Sequence, residues 1–545
     1  MRLVPMGIKN FPKMREAGLL YVDKTFVIDR ILSQNNIEVF LFTRPRRFGK
    51  TLNLSMLDAY FNQAYKGKAE AWFDGLEVMN RRPNDPNMSA YPVISITLKD
   101  LAVGSYDSFL KSFRYEVSDV VGRYPYLADS MNLDETDRDL LQSLRRGDAD
   151  DECLARSIKS LSNMLKAHHG KGVILLIDEY DNAVNNAYGM PHQAKILEFL
   201  KRVLGLALKD NDSLKFAVVT GIMQIAKEGI FSGLNNAFTD NIFSTGFDDA
   251  FGFTEDEVRA MCAEAEAPEK MDEIRQWYDG YRFGEKDVYN PWSVLSYFQN
   301  GLKPAVYWGG TSGNDIIDNL LSRVTPEEYV ELARLNVDSK PVVKDVDPLV
   351  TYADISSSTD ALYQIMAMSG YLKAIPTPGG YELSIPNLET MMVFSKHALA
   401  KVRPGDDRIF TEAVNAVTSL DEAASESKIR EVLMYCDFKV LGTEHVYQMF
   451  MYMLFCGRCR THVPHMEGMN GDGYYDLYLE SIDSDYSNIM IEFKALKGFR
   501  SRGVLEKEAL KALKQIEEKD YTHGMTNVGT LGIAFNGKKV AVKKG

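Results

Sequence analysis

The stretch LFTRPRRFGKT, Leu41 to Thr51, decides how the first half of this chain is read. It ends in Gly49-Lys50-Thr51, as a phosphate-binding loop does. The full pattern asks for a glycine separated by four residues from Gly49-Lys50, and Arg44 stands there instead, followed by Pro45. In such a loop backbone N–H groups and a helix N-terminus converge on phosphate oxygens. The lysine adds charge and the hydroxyl binds Mg²⁺. Gly49, Lys50 and Thr51 fill those roles between an apolar run and an amphipathic stretch, KTLNLSMLDAYF. Arg44 is compatible with the loop if its φ is negative and its side chain points outward. The tripeptide alone is read equally well as a basic loop.

The flanking sequence favours the nucleotide reading. IEVFLFT (37–43), YPVISITL (91–98), GVILLID (172–178) and LKFAVVTG (214–221) are short apolar runs of the kind buried on both faces of a parallel sheet. Helical patterns alternate with them, which implies a doubly wound α/β domain with its ligand site at the carboxyl ends of the strands. GVILLIDEYD ends there in Asp178 and Glu179. Asp178 is expected to hold Mg²⁺ through water, and Glu179 to polarise the attacking water. A strand end capped by acidic residues is the plain alternative. It weakens because both signals follow strands in the right order.

At 545 residues the chain is long enough for about three or four domains. Its 45% hydrophobic and 26% charged residues are ordinary for a globular protein, and a net charge of -13 excludes a uniformly basic coat but not a local basic groove. Five cysteines make no disulfide framework, and the N-terminal MRLVPMGIKNFPKM has no signal-peptide core. No apolar run is long enough to cross a bilayer, so a cytoplasmic protein is expected. From about Phe251 the texture turns helical, with an aromatic cluster at YDGYRFGEKDVYNPW and a hairpin signal at YLKAIPTPGGYELSIPN. The expected division is an ATPase domain over 1–250, a mainly helical, lid or winged-helix-like region over 251–400, and a third domain over 401–545.

That last region reads helix, strand, strand, helix, strand. Asp476 lies on one strand. Glu492 and Lys494 lie at i and i+2 on the next, so they face one side while Phe493 faces the core. Paired in a hairpin, Asp476 and Glu492 would hold Mg²⁺ or Mn²⁺ while Lys494 orients a nucleophile, the PD-(D/E)XK nuclease constellation. Glu444 on the preceding helix, Glu467 before the first strand and Gln515 on the following helix are candidate accessories. A surface hairpin with alternating charges is the alternative. Lys507, Lys511 and Lys514 would line a backbone-binding groove or simply form a solvated face with neighbouring glutamates. The run CGRCRTHVPH places Cys456, Cys459, His462 and His465 close in sequence. A buried thiol pair is favoured over zinc, because the spacing does not match two ligand pairs separated by a long insert.

The stretches LLYVDKTFVIDRIL, FTRPRRFGKTLNLSML, VILLIDEYD, VVTGIMQIAKEGIFSGLNN, FGFTEDEV, WYDGYRFG, VYNPWSVL and YWGGTSGN together resemble a bacterial AAA-ATPase-like family whose members carry a C-terminal PD-(D/E)XK nuclease-like domain. The resemblance implies an α/β P-loop fold with an added strand between the two motif-bearing strands, a helical lid and a restriction-endonuclease-like C-terminal domain. It implies ATP and Mg²⁺ as cofactors, with Mn²⁺ an option at the nuclease site, and Thr220 as a sensor-like residue. It places Tyr21, Asp23 and Lys24 near the base or the loop. Arg46 and Arg47 flank the phosphates, where one could act as an arginine finger; pairing with carboxylates at a domain boundary is slightly favoured. Where that family has a Gly-Arg-Gly-Arg-x-Asp pattern this chain has GDGYYD, so Asp472 and Tyr474 stand in place of arginines and a phosphate contact is expected to be missing. The expected function is ATP hydrolysis coupled to cleavage of nucleic acid, with DNA the favoured substrate and a homo-oligomer a further expectation. Two alternatives stay open: a regulatory switch whose nuclease-like domain binds without cleaving, and a scaffold with both sites decayed.

Overall fold

The four predominantly apolar runs form strands, as their hydrophobicity dictates. In the computed structural model they are β1 (Val39–Thr43), β2 (Val93–Thr97), β3 (Val173–Asp178) and β4 (Leu214–Gly221), joined by a fifth, β5 (Ala237–Asp240). The structure describes residues 3–209, 211–223, 237–310, 335, 341–346, 359–400, 408–435, 444–466, 468–498 and 500–545. Of the motifs quoted above, residues 224–236 and 311–314 lie outside the described residues, as does Glu467.

The five strands make one parallel sheet in the order β2-β3-β4-β1-β5. β4 therefore lies between the strand that leads into the Gly-Lys-Thr loop and the strand that ends in Asp178. β3 is buried along its whole length, which is what a run of Val, Ile and Leu achieves only when helices cover both faces. Helices α1 (Lys50–Phe61), α2 (Asp151–His169) and α3 (Gln193–Leu208) belong to this layer arrangement. α2 is capped by the Asp150 side chain on the Cys153 amide and ends at Gly170 in the left-handed conformation.

Beyond β5 the Thr254–Glu257 capping box starts α4 (Glu255–Glu264). The aromatic cluster folds into an antiparallel hairpin, Tyr281–Phe283 with Lys286–Val288, and the Pro-Gly-Gly turn joins Lys373–Thr377 to Gly380–Ser384. This region braces the loop. Phe48 packs edge-on against Tyr281, with ring centroids 5.0 Å apart, and a Cβ on Gly370 (φ +86) would come within 3.0 Å of Pro45.

The chain divides into two compact units, Met1–Ile317 with Val343–Pro386, and Asp318–Val342 with Asn387–Gly545. The second contains a five-stranded sheet of β6 (His462–Met466), β7 (Leu477–Ser481), β8 (Asn488–Ala495), β9 (Val528–Asn536) and β10 (Lys539–Lys544), in that spatial order. β8 and β9 are parallel and the other pairs antiparallel. α5 (Glu444–Arg458) precedes the sheet and α6 (Arg502–Glu518) joins β8 to β9. α6 buries Leu505, Ala509, Ala512 and Ile516, the stripe its 3.6-residue repeat sets up. The edge strands β6 and β10 were not among the sequence expectations. Among the described residues no helix is long and apolar enough to cross a membrane.

Candidate functional sites

The first site is built at the carboxyl ends of β1, β3 and β4. Gly49 sits at φ 86 and is the N-cap of α1, so the loop turns into the helix through a conformation that glycine adopts without strain. Lys50 Nζ donates to the carbonyl oxygens of Arg44 (2.8 Å) and Pro45 (2.9 Å), folding back over its own loop. Burial lowers its pKa, against the pull of Glu179 and Asp178. Thr51 Oγ1 donates to Asp178 Oδ2 (2.7 Å), and Thr220 Oγ1 donates to Asp178 Oδ1 (2.6 Å). One carboxylate thus ties together the first turn of α1, the end of β3 and the end of β4. Glu179 follows at φ 52 and accepts from Asn182 Nδ2 (3.2 Å); burial raises its pKa.

Arg44 departs from the expectation. Its side chain points inward, 0% exposed, and forms an ion pair with Asp240, also 0% exposed. It donates further to the carbonyl oxygens of Thr43 (2.9 Å), Asp240 (3.0 Å) and Phe247 (3.2 Å), and its guanidinium lies 5.0 Å from the Phe283 ring centroid. The cause is β5, which pairs beside β1 with Asp240 opposite Phe42 and so presents a buried carboxylate to the chain as it leaves the sheet.

A cavity of about 480 Å³ opens on this loop. Lys50, Thr51, Glu179, Arg46 and Arg47 line it on one side. Ile8, Tyr21, Phe253, Trp292 and Leu295 give it an apolar part. Arg47, at φ 71, lays its guanidinium 4.3 Å from the Trp292 ring centroid, a cation–π contact rather than a carboxylate pair. Tyr21 and Lys24 also line the cavity, and Lys24 is held by Glu257 (2.7 Å). Asp23 instead accepts from the Thr25 and Glu77 amides. Lys9, Lys99 and Asn182, which sequence reasoning passed over, line the same space. Nothing in their local sequence marks them.

The second site forms on β7 and β8. The antiparallel register Leu477↔Ile491, continued by one residue, sets Asp476 opposite Glu492. Asp476 Oδ2 accepts from the Phe493 amide (2.6 Å) and Oδ1 from Gln448 Nε2 (2.8 Å). Gln448 lies on α5 one turn from Glu444, a placement visible only once the helix docks. Glu492 is 1% exposed. It accepts from Lys494 Nζ (3.2 Å) and from Gln515, while its Oε2 is buried with no partner. Glu444 accepts from the Ala495 amide (3.2 Å) and lies 3.8 Å from Lys494. Burial pushes Asp476 up to about 6. Burial and the Asp476 charge push Glu492 up to about 8. For Lys494 burial works the other way, but the three carboxylates outweigh it and raise the pKa.

A buried, unpartnered carboxylate oxygen beside a second carboxylate fits a divalent cation, which would relieve the repulsion that raises both pKa values. Among the described residues no group of three or more His, Cys, Asp or Glu side chains converges as a metal cage. An ion held here would complete its shell with water and main-chain oxygens, as Mg²⁺ commonly does. The cysteine–histidine run makes no common centre. His462 and His465 are three apart on β6 and so face opposite sides; His462 bonds the Ser487 carbonyl (2.8 Å) and His465 bonds Glu480 (2.8 Å). Lys511 and Lys514 on α6 are paired with Glu508 (2.6 Å) and Glu518 (2.8 Å), a solvated charged face.

These features define the class: a P-loop-type α/β domain with a strand inserted between its two motif strands, and a second α/β domain with the nuclease-like strand order. Residues 5–231 match the family described as predicted AAA-ATPase, and residues 442–545 match the PD-(D/E)XK nuclease superfamily. The chain carries an AAA-ATPase-like domain and a C-terminal PD-(D/E)XK nuclease-superfamily domain. A protein of Azotobacter chroococcum mcd 1, described as "Uncharacterized protein in vnfD 5'region", is 29% identical over 413 residues, which cover 74% of this chain and 70% of that protein. Among solved structures, the Aeropyrum pernix ORC2 protein in ADPNP-ADP complexes matches at 10% identity over 69% of this chain and 92% of that one. Its TM-score of 0.24 is too low to carry an argument.

Proposed function

We propose that this protein binds and hydrolyses ATP at the first site and uses the second to cleave nucleic acid with a divalent metal, the two activities being coupled. The observation that carries the ATP reading is Asp178 bonded at once to Thr51 and Thr220 beside the lysine of the loop. Thr51 and Asp178 are the metal-facing pair, Lys50 swings from its carbonyl contacts onto the terminal phosphates, and Glu179 orients water. Its raised pKa suits a group that must take a proton. The cleavage reading rests on the orphan Oε2 of Glu492 next to Asp476. A divalent cation bound by these two would lower the pKa of a water and neutralise phosphodiester charge. Lys494, held by Glu492 and Glu444, orients that water, and Gln515 and Gln448 fix the carboxylates. We also place the lid role in the region around 251–400 and the nuclease role in 401–545.

Lys50→Ala is expected to weaken Mg-ATP binding or turnover by about a hundredfold, since one preorganised charged donor is lost from the phosphates. Calorimetric titration and phosphate release read this directly. Affinity and turnover both unchanged in the variant would remove the ATP assignment. Cleavage is tested with Mg²⁺ or Mn²⁺, with and without ATP, on single- and double-stranded DNA and RNA.

A second reading is a switch whose nuclease-like domain binds without cutting. It is favoured by one observation: the exposed Tyr474, 64% accessible, stands where the resembled family carries arginine. Asp476→Ala separates the two, because a pure binder keeps its affinity and has no cleavage to lose.

A further inference from the structure

The cations of the nucleotide cavity exceed what a phosphate loop requires. Lys9, Lys24, Arg46, Arg47, Lys50 and Lys99 line it, against two carboxylates, Asp100 and Glu179. Lys24 is engaged by Glu257, and Arg47 stacks on Trp292. Lys50 is folded onto two loop carbonyls. Arg46 belongs to the loop itself, whereas Lys9 and Lys99 come from distant stretches: Lys9 just before the helix Phe11–Glu16, and Lys99 just after β2, at the carboxyl end of the strand beside β3.

We propose that Lys9 and Lys99 form a second anion-binding pair in this cavity, which takes the terminal phosphate of a bound nucleoside triphosphate and so separates triphosphate from diphosphate. The inference rests on the ATP reading above. Two ammonium groups repel, and these two line one cavity together with Lys50 and Glu179. Burial and the Lys99 ammonium both lower the Lys9 pKa, with Glu179 the opposing charge. Such an arrangement is stabilised by an anion that both can donate to. Glu179 marks where that anion would lie. Its charge acts on Lys9, Lys50 and Lys99 alike, and a water-orienting carboxylate stands beside the terminal phosphate. The phosphate loop would hold the inner phosphates and Lys50 would bridge, while the lysine pair closes on the outermost group. The pair would then be formed fully only with triphosphate. Because Lys9 lies in the N-terminal segment, it would also tie that segment to the triphosphate state.

The rival account is that the two lysines only balance Glu179. Calorimetric titration of the full chain with Mg-ATP and Mg-ADP separates the accounts, using Lys9→Gln, the Lys9→Gln/Lys99→Gln pair and the charge-keeping Lys99→Arg. The expected result is a loss of tenfold or more in ATP affinity for the double variant, with ADP affinity within about twofold of wild type. Lys9→Gln should lose part of the ATP preference, and Lys99→Arg should keep it. Retained ADP binding doubles as the proof of folding. An ATP-to-ADP affinity ratio unchanged in both glutamine variants, whether the affinities hold or fall together, overturns the proposal. If wild type binds neither nucleotide, the ATP reading fails first and this inference falls with it; if wild type binds ATP and the ratio does not move, only the inference falls.

Discussion

Arg44→Ala is expected to destabilise the first compact unit by about 3–5 kcal/mol, the range for removing one partner of a buried ion pair. Asp240 would be left fully buried with its charge uncompensated, and the Arg44 bonds to the carbonyl oxygens of Thr43, Asp240 and Phe247 would be lost too. For a unit of this size the melting midpoint should fall by roughly ten degrees. Arg44→Gly is the more telling variant. It restores the glycine of the standard phosphate loop and is nevertheless expected to cost as much, because the arginine serves the fold rather than the phosphate. Replacing both partners, Arg44→Met with Asp240→Leu, should recover most of the loss. Chemical denaturation of the three variants checks this. If Arg44→Gly is as stable as wild type, the buried pair is not what holds the loop to β5.

Glu492→Gln should abolish cleavage, by a thousandfold or more, while making the metal-free protein more stable at neutral pH. The first effect follows from losing one of two carboxylates that would hold the cation. The second follows from linkage. Glu492 has an ordinary value near 4.5 and is pushed up to about 8 in the fold. The unfolded chain therefore releases this proton at lower pH than the native one. Between those values the native state binds more protons, so stability falls as pH rises, and below about 4.5 the penalty disappears. The amide variant should lose that slope. Mg²⁺ should stabilise wild type at pH 8 and leave the variant unmoved. Denaturation of both proteins at pH 5 and pH 8, with and without the ion, gives four numbers for each. A wild-type profile flat over that window, without metal, would contradict the burial argument.

Much of this was legible in the chain. The strands at 39–43, 93–97, 173–178 and 214–221 are predominantly apolar runs, as in a sheet covered on both faces. The placement of Gly49, Lys50, Thr51, Asp178, Asp476, Glu492 and Lys494 was legible because it depends on short spacings: a loop entering a helix, an acidic strand end, an i,i+2 pair on a strand. β5 was not, since AFTD is short and carries no clear periodicity. Lys511 and Lys514 stayed ambiguous until their glutamate partners were in place.

What the sequence by itself determined is therefore the local placement of the candidate residues of both sites and the alternation that names the two folds. The tertiary structure alone decided the inward turn of Arg44 onto Asp240, the contacts that Gln448 and Gln515 make with the paired carboxylates, and the gathering of Lys9 and Lys99 into one cavity. Each of these joins residues far apart in the chain, and their contacts exist only after the sheets have set strand order and register. The phosphate loop shows the division most plainly. Its Gly-Lys-Thr could be read directly, but whether arginine could replace its first glycine depended on a carboxylate almost two hundred residues away.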